Sequence, residues 1–505
     1  NQGMNIISVA SYGLSAPRLA APPSRSSEIG VAASAQAEPA TRFTRTAAPA
    51  TSDTYSDPRI TAKTFTVTMR NLWAAPARSG DAISTLMANN RSMRSHGPNT
   101  TIYNLAEQWQ GLGGALLRHL GATGEGYSQT RVNDPASFDD PAEIEALPPE
   151  RLAQHMAALA AVQAASLAGA ADGASTADLQ LRLASGRTVQ LRMTDNIGFG
   201  SIGMQVSVSA SGTLSDEERS ALQALADGLD RAIAGLGQPD TARLDLMGLL
   251  GYDRQVISGL DLTVNNAQQG GYLDRFELHS GVDKPSILLK GIEGEMRLSV
   301  DAATAATGAP AAQQAGALRS LLERVDAAGQ RGQANVALVE QMKAALTQLQ
   351  TAVATPATTG SPGPASASHA GLADFEASFS GDTWRENSSG THRQGGSVAY
   401  QISQRTQGGG TGSIRQTVSE QLSADYREAP GDRMLNVANG NYTATQVRDR
   451  RSVTTLIESV ADGAAKTSYQ VDDQPHKAVT RFEGGHVVSR QVWPTPPAHQ
   501  ASSGF

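Results

Sequence analysis

Two stretches of this chain, 179–300 and 372–493, alternate apolar and polar residues with a period of two, and that alternation decides most of what the chain can fold into. A strand patterned this way buries one face and wets the other. Leu179, Leu181 and Leu183 are followed by Val189, Leu191 and Met193 across Ala184-Ser185-Gly186-Arg187, which predicts a β-hairpin. Ile202, Met204, Val206 and Val208 continue the pattern. It returns at Leu260/Leu262/Val264, Phe276/Leu278, Ile287/Leu289 and Met296/Leu298/Val300. Between these runs, Ser215-Asp216-Glu217-Glu218 is a capping box that opens a helix with Leu222, Leu225, Leu229, Ile233 and Leu236 on one face. The expected fold class is α+β, mostly β: an antiparallel sheet with one packed helix, a helical hairpin and a second, extended antiparallel β domain.

The hairpin is expected from two apolar stripes, Leu318/Leu321/Leu322/Val325 and Val339/Met342/Leu346/Leu349/Val353, with Gly329 and Gly332 between them. Thr355 to Ser368 has linker composition. Beyond it, Phe375/Ala377/Phe379, Val398/Tyr400/Ile402, Tyr469/Val471 and Val487 to Trp493 alternate between glycine-rich turns, as strands with one wet face do. The expected organisation is an arm over 1–57, disordered by composition, and a mixed segment over 58–172. An antiparallel α+β domain over 173–305, the hairpin over 306–354 and a linker over 355–371 follow. A β domain over 372–495 and a disordered tail over 496–505 complete it. Within the mixed segment, Ile60 to Arg70 reads as a strand and Leu105, Trp109, Leu112, Leu116 and Leu120 as one helix weakened by Gly111, Gly113 and Gly114. Asp140-Pro141-Ala142-Glu143 reads as a helix start, and 149–170 as a longer helix.

Composition narrows the function classes. At 505 residues the chain can hold several domains, yet hydrophobic residues are 39%, charged residues 18% and aromatics 5%, with 50 glycines, which leaves room for segments that bury little. A formal charge of −7 over that length makes no strong field, so neither nucleic acid nor an anionic membrane is an expected partner. The chain has no cysteine, which removes disulfides, thiolate metal sites and thiol nucleophiles together. Avoiding thiols suits a chain that leaves the reducing cytosol. The coarse pattern is similar to that of bacterial exported or envelope proteins. No apolar run approaches the roughly 18–20 residues that span a bilayer. After Met4 there is no basic stretch and only a short apolar patch, so no secretory signal peptide is expected in this chain.

Motifs of catalysis do not survive their context. Gly198-Phe199-Gly200-Ser201-Ile202-Gly203 matches G-x-G-x-x-G, but a dinucleotide site needs that pattern to open a helix, and here a strand follows. The nine histidines are scattered without i, i+4 or H-x-H spacing. Asp134, Asp139, Asp140, Glu143 and Glu145 lack the offsets of a calcium loop, and helix capping accounts for Asp140 and Glu143. Arg448-Asp449-Arg450-Arg451 is broken by acid and reads as a solvated strand. No nucleophile elbow, Walker loop or H-E-x-x-H helix is present. No catalytic residue, cofactor or metal ligand is nominated.

What remains is the aromatic set of the C-terminal sheet. Phe375, Phe379, Trp384, Tyr400, Tyr469, Phe482 and Trp493 read first as core. Of these, Trp384, Tyr400, Tyr469 and Trp493 form the candidate binding face for a protein partner or an apolar ligand. The expected function is a non-enzymatic binding or structural protein of the bacterial envelope, or secreted, that presents an extended antiparallel sheet. Two alternatives stand beside it: a secreted effector or hydrolase whose catalytic residues meet only in the fold, and a cytoplasmic protein of an export apparatus. Converging titratable groups in one pocket would favour an enzyme, and an unpaired strand edge would favour binding.

Overall fold

The computed structural model describes residues 41–45, 65–73, 81–90, 93–95, 101–103, 105–135, 148–150, 174–198, 201–236, 244–267, 273–281, 284–305, 311–354, 371–387, 390–408, 413–431, 433–459, 465–493 and 500–503. The helix start expected at Asp140, the helix body over 151–170 and the linker over 355–370 lie outside them, as do residues 1–40.

The first strands in chain order are β1 (Thr41–Arg45), β2 (Phe65–Trp73), β3 (Met93–Ser95), β4 (Thr101–Tyr103), β5 (Tyr127–Pro135) and β6 (Ser175–Leu183). Next come β7 (Thr188–Gly198), β8 (Ser201–Ala210), β9 (Ile257–Asn265), β10 (Leu273–Ser280), β11 (Ser286–Gly291) and β12 (Gly294–Val300). The later strands are β13 (Phe375–Asn387), β14 (Gly390–Gly408), β15 (Ile414–Glu428), β16 (Tyr442–Ser459), β17 (Ala465–Gln474), β18 (Lys477–Glu483), β19 (His486–Trp493) and β20 (Gln500–Ser503). The helices are α1 (Ala82–Asn89), α2 (Leu105–Gln108), α3 (Leu112–Thr123), α4 (Asp216–Leu236), α5 (Met247–Leu250), α6 (Ala311–Gly332) and α7 (Val336–Ala354).

Eighteen strands join one sheet, all through antiparallel pairs, and β3 and β4 form a separate ribbon. The sheet runs β1-β2-β5-β8-β7-β6-β9-β10-β11-β12 and passes without a break to β13-β14-β15-β16. Met296 opposite Phe379 and Leu298 opposite Ala377 make that join between β12 and β13. Past β16 the neighbouring strand is kinked at Pro475: β17 and β18 lie end to end in one register, Arg450 opposite Gln474 and Val447 opposite Lys477. Proline carries no N–H for a ladder, so a break there is expected. β19 then pairs with β18, and β20 with β17. Strands β1 and β20 fall in stretches that composition assigns to an arm and a tail.

The mostly β, α+β class is as the alternation implies. Leu179 opposite Leu191 and Leu181 opposite Val189 build the first hairpin, closed by Gly186 at φ 85°. One row of side chains crosses the sheet as Val208, Leu191, Leu179, Leu262, Leu278, Ile287, Leu298, Ala377 and Ile402, none more than 2% exposed. Each Val, Leu or Ile side chain of the row contributes about 1.5–3 kcal/mol by leaving water. The next strands place Glu420, Arg451 and Asp473 in the same row, so the apolar stripe ends at β14.

Helices cover that apolar face. The capping box of α4 is reciprocal: Glu218 N–H donates to Ser215 Oγ at 3.2 Å, and Ser215 N–H to Glu218 Oε2 at 2.8 Å. Against α4 packs α3, which lies over β5, β7 and β8. The single helix expected over 105–120 is two, divided at Gly111 with its left-handed φ of 72°. Gly114 is there for contact: its N–H donates to Asp230 Oδ1 at 2.8 Å, and a Cβ would lie 2.8 Å from the Ala226 carbonyl oxygen. The hairpin pair α6 and α7 rests on β12 to β15. Gly329 and Gly332 belong to α6, not to the turn; a Cβ on them would meet Val339 at 2.7 Å and Val398 at 2.6 Å. The turn itself uses Gln333 at φ 53°.

Candidate binding surface

The helical layer reaches its limit at β16. There Arg331 of α6 grips Asp449 with both Nε and Nη2, the latter at 2.9 Å. Arg324 pairs with Glu420 at 2.7 Å, and the Tyr400 hydroxyl donates to the same carboxylate at 3.2 Å. Beyond this polar seam no helix makes a substantial contact with β18 or β19 among the described elements. All eight residues of β19 are exposed, including Val487 at 58%, Val488 at 49%, Val492 at 48% and Trp493 at 47%. Among the described residues β19 pairs with β18 alone, which leaves its other side as a sheet edge. Unpaired edges with exposed apolar side chains are templates for another strand.

Val447 and Ala478 are buried in the ladder under that edge, and toward its far end it is held by cross-strand pairs. Tyr442 and Phe482 stack with centroids 4.7 Å apart, and Arg427 sits 5.6 Å from the Tyr442 ring. On the opposite face Lys477 lies 5.8 Å over the Trp493 ring. Such pairs contribute roughly 0.2–1 kcal/mol each.

The four aromatic candidates do not form one surface. Tyr400 is 3% exposed and packs its ring 5.4 Å from Phe379 under the helices; burial, then the Glu420 charge, pushes its phenol above the ordinary range. Trp384 is half-buried beside the α6–α7 turn, where its backbone N–H donates to the Gln333 carbonyl at 2.9 Å. Tyr469 on β17 and Trp493 on β19 stand exposed on the ladder, on different strands. Only these last two belong to the open end.

Grooves cross the wet face of the sheet among the described residues. One, of 640 Å³, crosses β9 to β13 and holds Asp261, His279 and Ser286 in lateral register. These are the residue types of a nucleophilic triad, and His279 Nδ1 does contact Asp261. The rest of the geometry differs from one. His279 Nε2 turns along its own strand, 3.6 Å from where a Cβ of Gly281 would stand, and no hydrogen bond joins it to Ser286. Asp261 is shared with Arg182. A second groove, of 390 Å³ across β14 to β17, is lined by polar side chains such as Gln401, Arg450 and Asp472. Of the sequence motif Gly198–Gly203, the described residues lie on paired strands, Gly198 opposite Ser201 and Gly203 opposite Asn196.

A polar cluster that alternation did not single out is buried under α2. Arg131 and Asp195 flank Met204 on neighbouring strands, with Ser175 opposite Asp195. Asp195 is fully buried and neither carboxylate oxygen finds a hydrogen-bond partner; the Gln108 amide lies beside it without closing a bond. Burial pushes its carboxyl up to about 7 against the pull of Gln108 and Arg131. Burial also lowers Arg131 to about 10, with Asp195 opposing. The available signal was positional. Asp195 follows Val189, Leu191 and Met193 on the buried face, where an apolar residue is due.

Among the described residues no group of three or more acidic or histidine side chains could hold a metal ion, and no helix is long and apolar enough to cross a membrane. No protein-family model, curated protein or solved structure matches the chain.

Proposed function

We propose that this chain is a non-enzymatic binding protein whose extended sheet accepts a polypeptide partner as an added strand on β19. The observation that carries the reading is β19 itself, exposed along its whole length, rich in valine and paired on one side among the described residues. Strand addition supplies affinity through main-chain hydrogen bonds and specificity through alternate side chains. The polar groove supports the same reading, because its acids are engaged by neighbouring side chains: Asp261 by Arg182 and His279, Glu277 by Arg275 and Glu376 by Gln401. Groups committed to ion pairs on an open face are poorly placed for proton transfer.

The reading is tested with a photo-cross-linking residue in place of Gln491 in the full chain. The expected result is a discrete cross-linked polypeptide that disappears when Val487 and Val492 are both changed to Lys. Cross-linking that survives the double change would remove β19 as the site. A turnover by purified protein that Ser286→Ala abolishes would replace the reading with a hydrolytic one.

A further inference from the structure

The two flanks of β19 carry different instructions for whatever pairs with it. Because Phe482 lies opposite Val487 and Arg481 opposite Ser489, Val488 is a bulge, and Val487, Arg490 and Val492 share one face. That face continues the row of Tyr442 and Phe482 on the neighbouring strands. Ser489, Gln491 and Trp493 share the other. The outward pattern is therefore valine, arginine, valine, with the cation in the middle.

Charge across β18 and β19 runs against the chain as a whole. The protein is formally −7, yet β18 and β19 hold Lys477, Arg481 and Arg490, with His486 besides, against Glu483 as their acid. Glu483 is taken by Arg481 at 2.6 Å. Arg490 makes no ion pair among the described residues, and its lateral neighbours Thr480 and Ala444 carry no charge. A second copy of the chain is a poor occupant, because β19 laid antiparallel on itself brings two Arg490 side chains to one small patch, and like charges across strands repel.

Resting on the strand-addition reading, we infer that the partner of β19 is an acidic extended segment, with an apolar residue, then an acid two positions on, then a second apolar residue two positions further, aligned against Val492, Arg490 and Val487. The acid meets an unpaired guanidinium and the apolar residues meet exposed valines. The positive patch steers such a segment toward an otherwise acidic protein, and salt weakens that steering.

The test uses the full chain and a fluorescein-labelled peptide centred on Val-Thr-Glu-Thr-Val, with two companions. One has Lys in place of Glu; the other keeps the sequence but has alternate amide nitrogens methylated. Fluorescence anisotropy should rank the Glu peptide about fivefold tighter than the Lys peptide at low salt, the size expected for exposed charge pairs. Arg490→Glu should reverse the order, Arg490→Lys should keep it, and high salt should compress it. Equal affinity for both peptides, unchanged by Arg490→Glu, would overturn the acidic specificity while leaving strand addition intact. Undiminished binding of the methylated peptide, or no binding of any, would overturn strand addition itself. Sedimentation showing a dimer that the neutral change Arg490→Gln strengthens and the Glu peptide cannot displace would make a second copy the occupant.

Discussion

Strands β5 to β14 and strands β16 to β19 belong to one hydrogen-bonded sheet, yet they are stabilised by different physics. In the first region a single lateral row carries nine buried apolar side chains from Val208 to Ile402 beneath a layer of helices. Past Ile402 the same row continues as Glu420 on β15, Arg451 on β16 and Asp473 on β17, and no helix makes a substantial contact with β18 or β19 among the described elements. Main-chain pairing is indifferent to this change; side-chain burial is not. The difference teaches that backbone hydrogen bonds can extend a sheet past the end of its core, at the cost of an edge that water and other chains can reach.

The sharpest way to break the comparison is to attack the buried face of the first region, in the row next to that one, where Phe276 lies between Val264 and Leu289. Phe276→Ala removes a ring that is 0% exposed, and chemical denaturation should report a loss of about 3–5 kcal/mol. A loss below 1 kcal/mol would mean that the first region is no more packed than the second.

A pH titration isolates the buried polar end of the same region. Native Asp195 keeps its proton up to about pH 7, whereas the unfolded residue releases it near 3.8. Unfolding thus releases a proton between those values, and stability should fall as pH rises through that window, by on the order of 4 kcal/mol. Above about pH 7 the contribution is flat. Asp195→Asn should remove this slope from the denaturation midpoints, and a slope that persists unchanged would assign it to other groups.

Much of the first region was legible because burial leaves a two-residue period that survives in the sequence: Leu179/Leu181/Leu183 and Val189/Leu191/Met193 face each other in the hairpin as their spacing demands. The capping box at Ser215 and Glu218 is equally local. What was not legible required partners distant in sequence. The join of β12 to β13 leaves no periodic trace, because Met296 and Phe379 look the same whether they meet or not. Gly329 and Gly332 carried a turn signal, while their role is to let Val339 and Val398 approach. Tyr400 and Trp493 both sit in alternating runs, and only the position of α6 separates a core ring from an exposed one. For Asp195, the sequence carried a violation of pattern that is visible in the alternation alone.

The boundary between the regions can be loosened from the helical side. Gly332→Ala places a methyl 2.6 Å from Val398 Cγ2, and overpacking of this kind costs about 1–3 kcal/mol, exceeding the gain in helix propensity of about 1 kcal/mol. The denaturation midpoint should drop. Arg331→Ala removes the ion pair from α6 to Asp449 on β16 and should cost about 1 kcal/mol or less, since the guanidinium is partly exposed. Its useful readout is local: amide exchange should quicken in β16 and β18 and stay unchanged in β9 to β12. Acceleration across the whole sheet would show the two regions to unfold as one.

The smallest expected effect is the most discriminating. Val492→Ala and Trp493→Ala alter side chains that are 48% and 47% exposed, so each should shift stability by no more than about 0.5 kcal/mol. The same truncations in the buried row cost several times more. Acrylamide should quench Trp493 readily and Trp109, at 1% exposure, hardly at all, which a comparison of Trp493→Phe with the parent protein resolves. If Val492→Ala instead destabilises the chain by 2 kcal/mol or more, β19 is covered in solution and its edge is already occupied. If stability is unmoved while the Glu peptide binds more weakly, the valine is held at the surface for a partner and not for the fold.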